Sequence, residues 1–303
     1  MTSVILRKAI ERQHKEAERK KRLEELGEEE IPHLYLLKKN IEGAVQICRE
    51  KRQDWSFEIV GAEGSGKSTM AAHVARILAE LTNQKLDLNE SMIYSFDERD
   101  RHGKPLVNSM LGFVDKYQTT PFKILWYDEA VSVLFSDDHA TKESKSAKKL
   151  FVVKRDMCHF DIVVAPSPFH IVKDIRERRI KTMIYCYIAK DENTGRFKHK
   201  YAWYSAEKIV EMSLNQKARA VFRRADKFKA IVPPDFEEDF QEMDKKFEEE
   251  YLINKRSFQR TFIDTLIGDE KTAADLVLPD GFSFSSAFDK LTGRTDTESV
   301  GES

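Results

Sequence analysis

Hydrophobic and polar positions change rhythm several times along the chain. Residues 4 to 30 carry eight Lys or Arg and eight Asp or Glu among scattered Leu and Ile, with no Pro or Gly until Gly27. This spacing predicts an exposed, salt-bridged surface helix, and the functional alternative is a helix for a partner or for oligomerisation. Pro32 interrupts it, and between Leu34 and Glu50 the residues Leu36, Leu37, Ile41, Ala44, Val45 and Cys48 recur at helical spacing. A helix with one apolar face, packed on the domain behind it, follows from that pattern.

From Phe57 short apolar runs alternate with helical stretches. Strands are predicted over 57–60, 92–96, 122–127 and 160–165, and helices over 67–81, around 107–117 and near 147–157. Such alternation predicts an α/β fold with a mostly parallel sheet covered by helices on both faces. Two further runs, 182–189 and 197–204, flank Asn193-Thr194-Gly195 and predict a hairpin at the sheet edge, because Asn and Gly tolerate positive φ. Past Tyr204 strands are expected to stop. Pro233-Pro234 must end any helix there, and it separates a basic block from an acidic one that has nine acids between Asp235 and Glu250. The expected organisation is a charged helix over 1–33, a nucleotide-binding α/β domain over 34–205, a helical extension over 206–275 and a disordered tail over 276–303.

Composition narrows the class. The chain has 303 residues with 51 Lys plus Arg against 52 Asp plus Glu, a net charge of -1 that excludes a wholesale polyanion binder. Apolar runs such as Ile162-Val163-Val164-Ala165 are strand-sized and fall far short of the roughly 18 residues a membrane span needs, so none is expected. The first residues lack the apolar stretch of a secretory signal, which predicts a cytoplasmic protein. Cys48, Cys158 and Cys186 are odd in number and far apart, which predicts reduced thiols rather than a zinc site or a disulfide framework. His159 lacks companions at ligand spacing and reads as a core or surface histidine.

The chemistry is concentrated at strand ends. Gly61-Ala62-Glu63-Gly64-Ser65-Gly66-Lys67-Ser68, followed by Thr69, matches the phosphate-binding loop, with a predicted strand before it and a predicted helix after it. Glycines let backbone N–H groups turn toward phosphates, Lys67 can reach the β and γ phosphates, and the Ser68 hydroxyl suits magnesium. ATP and Mg2+ are therefore the expected ligands. Ile124-Leu125-Trp126-Tyr127-Asp128-Glu129 supplies the second carboxylate: Asp128 for the magnesium, Glu129 to polarise an attacking water. Lys67 and Asp128 are 61 positions apart, which leaves space for a further strand and helix, as expected if the two motif strands are neighbours in the sheet but not in sequence. The next strand ends in Pro166-Ser167-Pro168, where Ser167 is a candidate γ-phosphate sensor and a plain turn is the alternative. Arg155, Arg176, Arg178 and Arg179 are candidates for an arginine finger completing a neighbouring subunit's site, against paired surface arginines.

Taken in order, Glu63-Gly64-Ser65-Gly66-Lys67-Ser68-Thr69, Asp128-Glu129-Ala130, Pro166-Ser167, Ile175-Arg176-Glu177-Arg178-Arg179 and the hairpin with Gly195-Arg196-Phe197 and Tyr204 resemble the zonular occludens toxin-like P-loop ATPases of archaeal and bacterial viruses and plasmids, in the wider HerA/FtsK group. The resemblance spans roughly Ile41 to Tyr204, with an echo over Phe236 to Lys255. It implies a RecA-like, additional-strand ATPase core, often a ring-forming motor for DNA packaging, DNA transfer or phage assembly. The roles it implies fall on Lys67, Ser68, Asp128 and Glu129, and also on Ser167 and Arg176, although Ser167 stands where translocases of the group usually place Gln.

DNA is the partner this implies. Lys217, Arg219, Arg223, Arg224, Lys227 and Lys229, interleaved with Phe222 and Phe228, form a candidate phosphate-backbone surface, and Lys142, Lys145, Lys148 and Lys149 form a second. Solvated helix faces are the alternative, and the acidic block after Pro234 is a candidate counter-charge within the chain. The reading that joins these features is a magnesium-dependent ATPase acting on DNA as a homo-oligomer for a virus or plasmid. A phosphotransferase on a small acceptor and a nucleotide-gated adaptor without turnover are the rivals.

Overall fold

The computed structural model describes residues 34–94, 104–106, 109–128, 149, 157–191 and 194–256. The expected helix over 1–33, most of the helix near 147–157, Glu129, Arg155, Lys142, Lys145, Lys148 and the tail from 276 lie outside the described residues. The chain divides into two units, Met1–Leu252 and Ile253–Ser303, and the sheet and the site belong to the first.

Helix α1 (Tyr35–Lys51) buries Leu37, Ile41, Ala44, Val45 and Cys48 of the predicted stripe, leaves Leu36 half-buried, and packs on α2 (Lys67–Leu81). Between them runs β1 (Trp55–Gly61), buried from Ser56 onward. The chain continues through α3 (Leu88–Ser91), β2 (Met92–Ile93), α4 (Met110–Tyr117), β3 (Ile124–Tyr127), β4 (Phe160–Ala165), α5 (Lys173–Arg178), β5 (Ile180–Lys190) and β6 (Phe197–Ser205). It then forms α6 (Ala206–Leu214), α7 (Gln216–Val221), α8 (Ala225–Ile231) and β7 (Phe236–Asp239), and residues 245–252 are helical.

The described strands form one sheet in the order β2-β3-β4-β1-β5-β6-β7. From β2 to β5 neighbours are parallel, while β5, β6 and β7 run antiparallel. This is the expected α/β class, with the hairpin in place. Side chains alternate across the sheet: Val60, Leu125, Tyr127, Val163 and Tyr185 face a core shared with Phe113, Ile175, Ile209, Phe222 and Phe228. Phe57, Ile59 and Trp126 are buried on the other face, where α2 touches β1, β3 and β4. His159 is fully buried, edge-on to Phe113 at 5.6 Å, a core histidine. The three cysteines are buried thiols outside any disulfide, and burial pushes the Cys48 thiol up to about 12, which makes it a poor nucleophile. No helix among the described residues is long and apolar enough to cross a membrane.

Two expectations are corrected. The strand before the glycine loop and the strand ending at Asp128 are not neighbours, because β4 lies between them and pairs with both. A strand buried along all six of its residues needs cover on both faces and partners on both edges, so the centre of the sheet is its stable place. This inserted strand is what an additional-strand core implies. Strands also continue past Tyr204: β7 pairs with β6 from Trp203↔Phe236 to Lys200↔Asp239. Its sequence, Phe-Glu-Glu-Asp, has no apolar alternation. It is held by specific contacts instead: Phe236 stacks on Trp203 at 5.5 Å, the Tyr201 hydroxyl donates to Glu238 at 2.6 Å, and Lys200 meets Asp239 at 3.1 Å. An acid-rich edge strand of this kind also discourages pairing with other chains. The stretch expected as an extension from 206 is therefore part of the sheet-bearing unit as far as Leu252.

Glu58 sits at the centre of β1, fully buried, with no hydrogen-bond partner for either carboxyl oxygen among the described residues. Burial pushes its pKa up from 4.5 to about 8, and the Arg176 charge pulls the other way. The folded state therefore holds a proton that the unfolded state gives up, so stability declines as pH rises from about 4.5 and the loss is complete above about 8. Thermal melts at pH 5, 7 and 9 should show Glu58→Gln flattening this decline and gaining most at the alkaline end. An unchanged pH profile in the variant would contradict the assignment.

Candidate functional site

The site grows from the end of β1. Gly61 leaves the strand with φ 152, and a Cβ there would lie 2.2 Å from the Cys186 carbonyl oxygen on β5, so close packing of the neighbouring strand requires glycine. The chain then turns through Gly64 (φ 72) and Gly66 (φ 87), and Gly66 is the N-cap of α2. A Cβ on Gly66 would meet the Phe240 ring at 2.8 Å. Helix α2 begins with no side-chain cap, so its first amides face the loop as donors, the arrangement that binds anions. Lys67 is buried with its Nζ 3.1 Å from the Ala62 carbonyl oxygen, folded over the loop it belongs to. Ser65 Oγ is buried without a hydrogen-bond partner among the described residues.

Asp128 follows β3 directly and is 3% exposed. Parallel register sends Gly61, Asp128 and Pro166 out of the same edge of the sheet, since Val60 pairs with Ala165 and Tyr127 with Val163. The carboxyl edge of a parallel sheet is where open α/β folds bind ligands. Ser167 emerges between the other two, as its strand requires. Its hydroxyl accepts from the Phe169 N–H at 3.3 Å and heads the short 3-10 turn Pro168–His170, which is the turn chemistry expected of Pro-Ser-Pro.

Arg176 lies behind that turn. It is 7% exposed, its Nε donates to Ser213 Oγ at 2.9 Å, and its Nη1 donates to the carbonyls of Pro168 and Ile171 at 3.0 and 3.1 Å. The guanidinium is committed within its own chain and pins the turn after β4; it is not offered to a neighbour. Arg179 pairs with Asp54 in the interior, while Arg178 is exposed.

One contributor was not foreseen: the chain from Phe240 to Tyr251 straps across the loop. A cleft of about 400 Å³ separates Glu63, Gly64 and Gly66–Thr69 from His199, Phe240–Met243 and Glu248. The strap is tied down along its length. The Phe240 N–H donates to the His199 carbonyl at 3.0 Å, and His199 Nδ1 lies 3.2 Å from the Ser65 carbonyl oxygen. His73 Nε2 meets the Gln241 carbonyl at 3.0 Å; burial lowers the His73 pKa, which favours a neutral ring donating that bond. Arg76 lies 3.6 Å from Asp244 and over the Phe247 ring at 5.5 Å. At the far end, the Tyr251 hydroxyl donates to Asp128 Oδ2 at 2.6 Å. The signal in the sequence was the spacing of Phe247 and Tyr251 among acids, two aromatic positions four residues apart on one face of a helix.

The donor set fits a magnesium ion shared with phosphate. Among the described residues no group of three His, Cys, Asp or Glu could hold a metal alone. One hydroxyl, Ser68, and one buried carboxylate, Asp128, suit an ion whose remaining ligands are phosphate oxygens and water.

No protein-family model matches the chain, and no curated protein matches it in sequence. Among solved structures, the N-terminal domain of zonular occludens toxin from Neisseria meningitidis is 12% identical, with 64% of this chain and 96% of that chain covered and a TM-score of 0.36. A KaiC-like protein from the archaeon Pyrococcus horikoshii OT3 is 14% identical, with 50% and 80% covered and a TM-score of 0.32. The first belongs to the group that the motif order resembles.

Gly66→Ala is expected to destabilise the protein by about 1–3 kcal/mol, because the left-handed backbone and the Phe240 ring both oppose a Cβ. Gly43→Ala in α1, with nothing within 4 Å of the added methyl, should instead gain up to about 1 kcal/mol. Denaturant melts of the two variants side by side check this. Equal effects would contradict the packing described at Gly66.

Proposed function

We propose that the protein is a magnesium-dependent ATP hydrolase that works as a homo-oligomeric motor on DNA for a virus or plasmid. The observation that carries the reading is the shared sheet edge: the Gly61–Ser68 turn opens the uncapped N-terminus of α2 at the edge from which, one strand further along, the buried Asp128 emerges. Loop amides and Lys67 bind the β and γ phosphates, and the hydroxyl of Ser68 and the carboxylate of Asp128 hold the ion. Magnesium, when bound, supplies Lewis-acid neutralisation of the phosphate charge. Glu129, one residue beyond Asp128, is assigned from the sequence as the base that orients and deprotonates water. Ser167, at the end of the intervening strand, is a candidate contact for the γ phosphate, and Thr69 lines the cleft beside Ser68.

The DNA half of the reading rests on α7, α8 and the turn between them. Lys217, Arg219, Arg223, Arg224 and Lys227 are exposed, and no ion pair engages them among the described residues. Lys229 is turned inward, 2.8 Å from Glu237 and 4.2 Å from the Tyr187 ring, so of the six basic residues it alone is neutralised by the acidic block. Arg219 lies over Phe169 at 5.6 Å, on the turn that Ser167 heads, which gives the basic surface a direct contact with the site's edge.

Phosphate release from ATP or GTP, with and without DNA, tests both halves. Turnover should require magnesium, disappear in Lys67→Ala and fall by about 100-fold or more in Glu129→Gln. DNA should raise it, and Arg223→Glu with Arg224→Glu should weaken DNA binding and flatten its salt dependence by about two counterions. Turnover indifferent to DNA would remove the motor, and binding without turnover would favour a nucleotide-gated adaptor. Transfer to a small acceptor in preference to water would favour a phosphotransferase.

A further inference from the structure

We propose that Tyr251 is a positioning residue for the metal-binding carboxylate, holding Asp128 in the orientation the ion requires; this rests on the assignment of Asp128 to magnesium made above. The Tyr251 hydroxyl donates to Asp128 Oδ2 at 2.6 Å, and both side chains are buried, at 4% and 3% exposure. A short hydrogen bond to an ionised acceptor is among the stronger ones a protein makes. The phenol can only fix the carboxylate's rotation if it is itself fixed, and Trp126 supplies that constraint. Its ring lies parallel to Tyr251, 9° between planes and 5.3 Å between centroids. Trp126 is fully buried on β3, two residues before Asp128, so the strand that leads directly into the ligand also carries the platform for the group that orients it.

The strap then acquires a purpose in the chemistry. From Phe240 against Gly66 to Arg76 against Asp244 and Phe247, each tie brings residues 245–252 back across the sheet edge and delivers Tyr251 to Asp128. Outer contacts of this kind set the direction and basicity of a ligand, and their loss typically weakens metal binding by about 10- to 100-fold. The opposite role, a latch occupying the ion's place, would require the phenol to leave when metal arrives. The parallel ring stack and the ties along the strap oppose that departure.

The full-length protein is tested with ADP as the nucleotide, Mn2+ binding being followed by electron paramagnetic resonance and Mg2+ binding by competition. Tyr251→Phe keeps the ring on Trp126 and removes only the hydroxyl. It should bind metal-free ADP as wild type does while its Mn2+ and Mg2+ affinities fall about tenfold. Tyr251→Ala should show the same metal defect together with a lower melting temperature, which separates the hydroxyl's role from packing. Metal affinity unchanged in Tyr251→Phe would reduce the contact to structure, and tighter metal binding would make it a latch; either overturns the proposal. Lys67→Ala tells its failure from that of the nucleotide site. ADP binding that depends on Lys67 with metal affinity unmoved in Tyr251→Phe sinks the Tyr251 role alone, whereas ADP binding indifferent to Lys67 takes both readings with it.

Discussion

The close flanking of β1 by two parallel strands is the constraint on which the rest of the site depends. With β4 on one side and β5 on the other, the chain leaving β1 has no room to widen. Gly61 passes under a β5 carbonyl and Gly66 under the Phe240 ring, so the turn between them is fixed by close packing at both ends before any ligand arrives. A loop held in this way presents the start of α2 in one orientation, which is what a phosphate site needs, since donors that must reorganise lose much of their binding energy.

The core of the fold was legible because it obeys local rules. Helix α2 and strand β4 fall where the periodicity predicts them, residue for residue, and the α1 stripe is buried as read except at Leu36, which is half-buried. Strand order was less accessible. The interval between Lys67 and Asp128 permits motif strands that touch or motif strands with another between them, and the pairing of the fully buried Phe160–Ala165 with both decides between the two. Strand β7 escaped because its pairing energy lies in cross-strand contacts from Trp203, Tyr201 and Lys200, residues of another strand, and not in its own pattern.

The same division holds at the site. Residues whose chemistry is contiguous in sequence, Gly61 to Thr69 and Asp128, lie at one sheet edge. Arg176 could not be judged by proximity in sequence, because what absorbs its guanidinium, Ser213 and two carbonyls of the turn, comes together only in the fold. The strap was hidden for the complementary reason. Nine acids between Asp235 and Glu250 read as a counter-charge for the basic block, whereas the few aromatic residues among them carry the contacts.

Loop, carboxylate and strap together support one proposal: nucleotide with magnesium binds at the edge of the sheet, between the loop that follows β1 and the strap that follows β7. Backbone hydrogen exchange with and without ADP and Mg2+ measures this most directly. The account predicts slowed exchange over 61–69 together with 240–251, and none of comparable size on α8. Unchanged exchange over 61–69 would contradict it.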